Sequence, residues 1–130
     1  MVGIVLISHS SVLADGAVEL VSQIAGGARV VAAGGTDDGR IGTSTDLIAS
    51  AIRVADQGDG VLLIPDLGSS VLSALAVLAD LSGGPFAPRV VIADAPFVEG
   101  AVAAAVAASC GLDLNAVTSA AQEARDARKL

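Results

Sequence analysis

A three-layer α/β/α fold with a mostly parallel sheet is what this sequence predicts, and three observations carry it. Short apolar runs alternate along the chain with longer stretches of helical period, the β-α repetition that builds parallel sheets with right-handed crossovers. The runs are apolar throughout, as in strands covered on both faces. Apolar residues make up 53% of the 130 residues, enough for one good core and, by length, one domain spanning residues 1–130.

The first strand is Val2 to Ser8, an apolar run closed by turn-forming residues. A helix follows from about Val12 to Ala25, with Leu13, Ala17, Leu20, Val21 and Ile24 on one face, and Gly26-Gly27 ends it. Strand two is about Arg29 to Ala33. The loop Gly34 to Gly42 is the one connection long enough to suggest a role beyond joining elements. Helix two starts at Thr43 or Ser44 and runs to about Asp56, burying Leu47, Ile48, Ala51, Ile52 and Ala55. Strand three, Gly60 to Ile64, is closed by Pro65-Asp66. Helix three follows Gly68-Ser69-Ser70, carries Val71, Leu72, Leu75, Ala76, Leu78 and Ala79 at helical spacing, and ends near Ser82-Gly83-Gly84-Pro85. Strand four is Arg89 to Ala93, and Asp94-Ala95-Pro96 turns into a helix from Phe97 to Ser109. A last helix spans about Leu114 to Ala127, with Asp113 as N-cap and Arg125, Arg128 and Lys129 suiting its C-terminus.

Composition excludes several functions. Trp and Tyr are absent and the only Phe are Phe86 and Phe97, which argues against flavin sandwiches, stacking platforms for single-stranded nucleic acid and aromatic sugar clamps. A net charge of −7 makes nucleic acid and anionic membranes poor partners and a basic protein face a suitable one. One cysteine, Cys110, rules out an intramolecular disulfide and a Cys-based zinc site; its Ala-rich surroundings suggest a buried thiol. No basic leader precedes the first apolar run, and no segment approaches the roughly 20 apolar residues of a bilayer span. The expected protein is soluble and cytoplasmic. There is no Gly-x-Gly-x-x-Gly after strand one, no Walker lysine (the only Lys is Lys129) and no Gly-x-Ser-x-Gly elbow. Nor is there the acidic cluster with lysine of a receiver domain. Asp37-Asp38 alone does not make a metal site, and no metal or cofactor is expected.

The only histidine, His9, stands at the carboxyl end of strand one among Ser8, Ser10 and Ser11. In an open α/β sheet that edge carries ligands and chemistry. Imidazole serves there as a nucleophile or proton carrier near neutral pH. In a flavodoxin-like strand order, strand three neighbours strand one, bringing Asp66 beside His9. A carboxylate on one ring nitrogen would fix the tautomer and stabilise the cation formed when the other attacks phosphorus. The N–H groups of Gly68, Ser69 and Ser70 would form an anion hole at a helix N-terminus. From the neighbouring loops Ser10, Gly35 and Thr36 join them as candidate phosphate-binding residues. The same residues also fit structural roles: Asp66 as a turn residue, Ser69 or Ser70 as N-caps, and His9 satisfied by backbone.

Four strings together resemble one family: Val5-Leu6-Ile7-Ser8-His9-Ser10, the run Ala33-Gly34-Gly35-Thr36-Asp37-Asp38-Gly39-Arg40-Ile41-Gly42-Thr43, Asp66-Leu67-Gly68-Ser69, and Ala95-Pro96-Phe97-Val98-Glu99-Gly100. Over nearly its whole length the chain resembles the phosphotransferase subunit of phosphoenolpyruvate-dependent dihydroxyacetone kinases. That subunit is a branch of the mannose-type enzyme IIA superfamily of the sugar phosphotransferase system. The second string separates this branch from sugar-transporting relatives. The resemblance implies the mannose-type enzyme IIA fold and a phosphohistidine at His9. It also implies that Asp66 partners the imidazole and that Gly68 and Ser69 help cradle the phosphate. The donor would be the phosphocarrier protein HPr, and the acceptor ADP held on the nucleotide-binding kinase subunit. Relatives are homodimers, and the alanine-rich stretch Ala101 to Ala108 suggests a face that a lone chain leaves uncovered. Some members carry further phosphocarrier domains; the chain resembles the single-domain form and would depend on a separate donor. A sugar-uptake component and a non-catalytic regulatory module on the same fold are the alternatives.

Overall fold

In a computed structural model, which describes residues 1–82 and 88–130, four strands form one parallel sheet in the order β2-β1-β3-β4. The strands are β1 (Gly3–Ser8), β2 (Arg29–Gly34), β3 (Val61–Pro65) and β4 (Val90–Ile92). The helices are α1 (Ser11–Ile24), α2 (Thr45–Ala55), α3 (Gly68–Leu81), α4 (Phe97–Ser109) and α5 (Leu114–Glu123), followed by a 3₁₀ turn at Ala124–Asp126. This is the expected flavodoxin-like arrangement.

Alternation along the central strands divides the core in two. Ile4 and Leu6 of β1, with Leu62 and Ile64 of β3, face a layer made by α1, α4 and α5. Val5 and Ile7, with Val61 and Leu63, face α2 and α3. All of these side chains are buried, which is why β1 and β3 read as unbroken apolar runs. Helix starts follow local chemistry. Ser10, Ser44 and Asp113 cap α1, α2 and α5 by accepting the N–H of Leu13, Leu47 and Ala116.

Several expectations need correction. The buried face of α1 is Ala14, Ala17 and Val21, whereas Leu13, Leu20 and Ile24 are exposed. α3 buries Ser70, Ala74 and Val77 and exposes Leu72, Leu75, Ala76 and Ala79. The reason is close packing. A Cβ on Gly34 of β2 would come within 2.7 Å of Ala14 Cβ, so the sheet-facing side of α1 takes small residues there. Leu47 of α2 is only half-buried. Cys110 is exposed, because it follows α4 as its C-cap. Ala101, Ala104, Ala105, Ala107 and Ala108 are buried within the chain itself, so they leave no uncovered face. The last helix stops at Glu123, leaving Arg128 and Lys129 beyond it. The expected end of helix three at Gly83 to Pro85, and Phe86, lie outside the described residues. No described helix is long and apolar enough to cross a membrane.

Candidate active site

The register of β1 against β3 pairs Ile7 with Pro65, so Asp66 leaves the sheet beside Ser8 and His9. Asp66 N–H donates to Ile7 O at 2.9 Å and pins the two strand ends together. The Asp66 carboxylate then receives donors on both oxygens. Oδ1 lies 2.8 Å from His9 Nδ1 and accepts Leu67 N–H at 2.6 Å. Oδ2 accepts Ser8 Oγ at 2.8 Å and His9 N–H at 3.1 Å. Burial pushes the Asp66 carboxyl up, but the hydrogen bonds from Ser8, His9 and Leu67 outweigh it and hold the group below the usual carboxylate range.

An ionised carboxylate only accepts hydrogen bonds, so His9 Nδ1 carries a proton, and in the neutral imidazole Nε2 keeps its lone pair. Nε2 points away from Asp66 to Ser69 Oγ, whose hydroxyl donates to it. The His9 side chain is 19% exposed, so solvent reaches the ring although its inner edge is buried. The arrangement orients the ring with Nε2 outward and a fixed negative charge behind it.

Ser69 is the second residue of α3, so its contact with Nε2 brings the start of that helix to the imidazole. Gly68 and Ser69 are exposed, and first-turn amides have no acceptor within the helix. No side chain caps α3. These amides and the positive end of the helix dipole suit an anion next to Nε2. Ser70 is arranged differently. It is buried, and both its hydroxyl and its N–H donate to Leu67 O, at 2.6 and 3.0 Å, closing the turn that opens α3.

The loop from Gly34 to Gly42 folds back on the end of β1. Gly35 N–H donates to Ser8 O at 3.0 Å and Gly42 N–H to His9 O at 2.9 Å. Both glycines have positive φ, +74° and +142°, which a side chain would strain. Thr36 turns into the loop: its N–H donates to Arg40 O at 3.0 Å and its hydroxyl to Asp38. Ser10 Oγ caps α1. The donors of Gly35, Thr36 and Ser70 are therefore engaged within the protein, whereas Ser69 Oγ reaches Nε2 and the amides of Gly68 and Ser69 stand at the uncapped start of α3. Asp94, at the end of β4, pairs with Arg125 at 3.3 Å rather than joining the cluster. Among the described residues no group of three or more His, Cys, Asp or Glu side chains could hold a metal ion.

Sequence reasoning passed over Ser8 as a functional residue. It is fully buried, donates to Asp66 Oδ2 and accepts Ser10 N–H at 3.1 Å, so one hydroxyl joins the carboxylate to the start of the His9 loop. The available signal was a polar residue ending an otherwise apolar buried strand.

The fold and the histidine–aspartate pair at its carboxyl edge agree with a family match. The model described as PTS system fructose IIA component, EIIA-man, matches residues 3–118, and the chain belongs to that family. The chain is 36% identical, over 99% of its length, to the phosphoryl donor subunit DhaM of the PEP-dependent dihydroxyacetone kinase of Providencia stuartii. It spans 28% of that relative's length. It is 37% identical, over 82% of its length, to the phosphoryl donor subunit DhaM of PEP-dependent dihydroxyacetone kinase 2 of Listeria innocua, covering 85% of that protein. The crystal structure of a protein of unknown function, EF1359, superposes with a TM-score of 0.81 at 34% identity, covering 94% of this chain and 93% of the other.

Proposed function

We propose that this chain is a cytoplasmic phosphoryl carrier of the dihydroxyacetone kinase branch. His9 Nε2 takes the phosphoryl group from HPr and gives it to ADP on the nucleotide-binding kinase subunit, which phosphorylates dihydroxyacetone. The observation that carries this reading is the His9 Nδ1–Asp66 Oδ1 contact of 2.8 Å, which leaves Nε2 as the outward nucleophile at the start of α3. As the Nε2–phosphorus bond forms, the bond from phosphorus to the donor breaks. The ring keeps its Nδ1 proton, becomes cationic, and is stabilised by ionised Asp66. Ser69 releases Nε2 and its hydroxyl becomes a donor for the phosphoryl oxygens, beside the amides of Gly68 and Ser69. Ser10, Gly35, Thr36 and Ser70 would hold this frame from behind. Discharge reverses these steps.

The relatives named as phosphoryl donor subunits support this branch. A mannose-type component for sugar uptake is the second reading, favoured by the wording of the family description. We also propose a homodimer, supported by the exposed Leu13, Leu20 and Ile24 on one face of α1. The test is incubation with labelled phosphoenolpyruvate and the general phosphotransferase proteins. The expected product is acid-labile phosphate on His9, lost in His9→Ala with the circular dichroism unchanged. Offered separately, the ADP-loaded kinase subunit should discharge the labelled protein and a sugar-transporter IIB protein should not; transfer to IIB alone overturns the kinase reading.

A further inference from the structure

We infer that Thr43 and Ser73 are positioning residues for the phosphoryl site. Their hydroxyls share a hydrogen bond of 2.6 Å that clasps the end of the loop from Gly34 to Gly42 onto α3 and sets where Ser69 stands against His9 Nε2. The inference rests on the phosphoryl-carrier reading and adds two residues to its machinery.

α3 needs such a hold. No side chain caps it, and the bonds that Ser70 makes to Leu67 O close its first turn without tying it to the rest of the chain. Ala74 and Val77 join the α2 side of the core, but apolar burial is non-directional and does not fix the first turn to a fraction of an ångström. A hydrogen bond does, since it weakens steeply outside a narrow range of distance and angle. Among the described residues only two hydrogen bonds join α3 to another segment: Ser69 Oγ to His9 Nε2, and the one between Ser73 and Thr43. The first has to open when a phosphoryl group arrives. The second does not.

The other end of the clasp is anchored on both sides. Gly42, the residue before Thr43, donates its N–H to His9 O at 2.9 Å. Ser44, the residue after, accepts Leu47 N–H at 3.2 Å as the cap of α2 and donates to Asp37 at 2.6 Å. Thr43 is thereby held between two fixed neighbours, half-buried, with its hydroxyl on α3. Ser73 lies one helical turn beyond Ser69, on the same face of α3. The contacts close a ring that leaves His9 at its carbonyl oxygen, runs through Gly42, Thr43, Ser73 and Ser69, and returns to His9 at Nε2. When the phosphoryl group takes the place of the Ser69 hydroxyl at Nε2, the clasp keeps the first-turn amides within reach of its oxygens. A valine would fill the space of Thr43 equally well; only the hydroxyl makes the tether.

The test compares Thr43→Val, Ser73→Ala, the double variant and Thr43→Ser in label transfer from phosphorylated HPr. Valine keeps the shape of threonine, and alanine is the better helix former in place of Ser73, so both should fold with unchanged circular dichroism. Each single variant should lower kcat about tenfold with KM within about twofold, since a ~1 Å misplacement costs ~100-fold and a helix still packed on its core shifts less. The double variant should be no slower than either single, because all three remove the same bond. Thr43→Ser, which keeps the hydroxyl, should recover kcat. In phosphorus NMR the resonance of phosphorylated His9 should move in Thr43→Val and return in Thr43→Ser. Wild-type kcat and resonance in both single variants, whatever their stability, overturn the clasp and leave the carrier reading intact. A defect confined to KM, losses that multiply in the double variant, or a Thr43→Ser as slow as Thr43→Val overturn it too. A wild-type chain that takes no phosphate from HPr overturns the carrier reading and the clasp together.

Discussion

Asp66→Asn is the substitution that most directly probes the site. The carboxylate accepts from Ser8 Oγ, His9 N–H, His9 Nδ1 and Leu67 N–H, two on each oxygen. An amide keeps one acceptor and replaces the other with a donor. If the NH₂ takes the Oδ2 position, it confronts His9 N–H, which cannot reverse. If it takes the Oδ1 position, it confronts Leu67 N–H and forces His9 Nδ1 to become an acceptor, moving the ring proton to Nε2 and removing the nucleophile. Either placement leaves a donor unmatched in a side-chain environment only 9% exposed, at a cost of about 1–3 kcal/mol. The phosphorylated, cationic imidazole also loses its counter-charge. The corresponding change in a protease triad lowers kcat about 10⁴-fold, and a reversible relay should lose at least ~100-fold.

Acid behaviour gives a second readout of the same change. The folded-state pKa of Asp66 is lowered, so its stabilising contribution is complete above the ordinary carboxylate value of about 3.9 and is lost as pH falls below it through the folded value. Urea titrations from pH 7 down to pH 2.5 should show that loss in the wild type and a shallower fall in Asp66→Asn. The assays are label uptake from phosphorylated HPr and those titrations. Uptake at the wild-type rate, with acid dependence unchanged, would refute the argument that this charge orients and stabilises the imidazole.

Ser8→Ala removes a buried donor to Asp66 and the acceptor of Ser10 N–H; it should cost about 1.5–3 kcal/mol and bring acid unfolding to higher pH, both read by urea titration. Gly34→Ala would place a Cβ 2.7 Å from Ala14 Cβ and from Ser10 O, so overpacking should cost ~1–3 kcal/mol or more and slow label uptake by displacing the start of α1. Gly68→Ala is the contrasting case. Its Cβ meets nothing within 4 Å and its N–H is kept, so stability should stay within ~0.5 kcal/mol while the new methyl crowds the phosphoryl group and label uptake falls; unchanged uptake would show that no phosphoryl oxygen sits against the Gly68 Cα.

The strand order and the His9–Asp66 pair were legible in the sequence because each depends on one local signal carried by a simple rule. Continuous apolar runs mark strands buried on both faces, and β-α alternation restricts their order. Adjacent strand ends then bring the following residues together. The helix faces were not legible in this way. On α1 both candidate faces are apolar at helical spacing, one with Leu13, Leu20 and Ile24, the other with Ala14, Ala17 and Val21. Periodicity finds the helix but cannot choose between two apolar faces. Close approach to the sheet makes the choice, and it favours the smaller side chains. The same ambiguity hid the exposure of Cys110, which follows an alanine-rich helix but falls at its C-cap.

That distinction bears on how the site is held. Periodicity is blind to side chains that act through single hydrogen bonds, and the Asp66 environment is built almost entirely of those. Ser8 reads in sequence as the polar end of a strand, yet its Oγ joins Asp66 Oδ2 to Ser10 N–H. The loop glycines read as flexible, yet Gly35 and Gly42 fasten their loop to Ser8 O and His9 O. The backbone behind the imidazole is thereby tied to β1 and β3, the two most buried strands of the sheet. A carrier must accept and release the same group many times without rebuilding its site. On the proposed carrier reading, fixing the Nδ1 side of the ring to the rigid core, with Ser69 at Nε2, would let the phosphoryl group arrive and leave while the imidazole stays where it is.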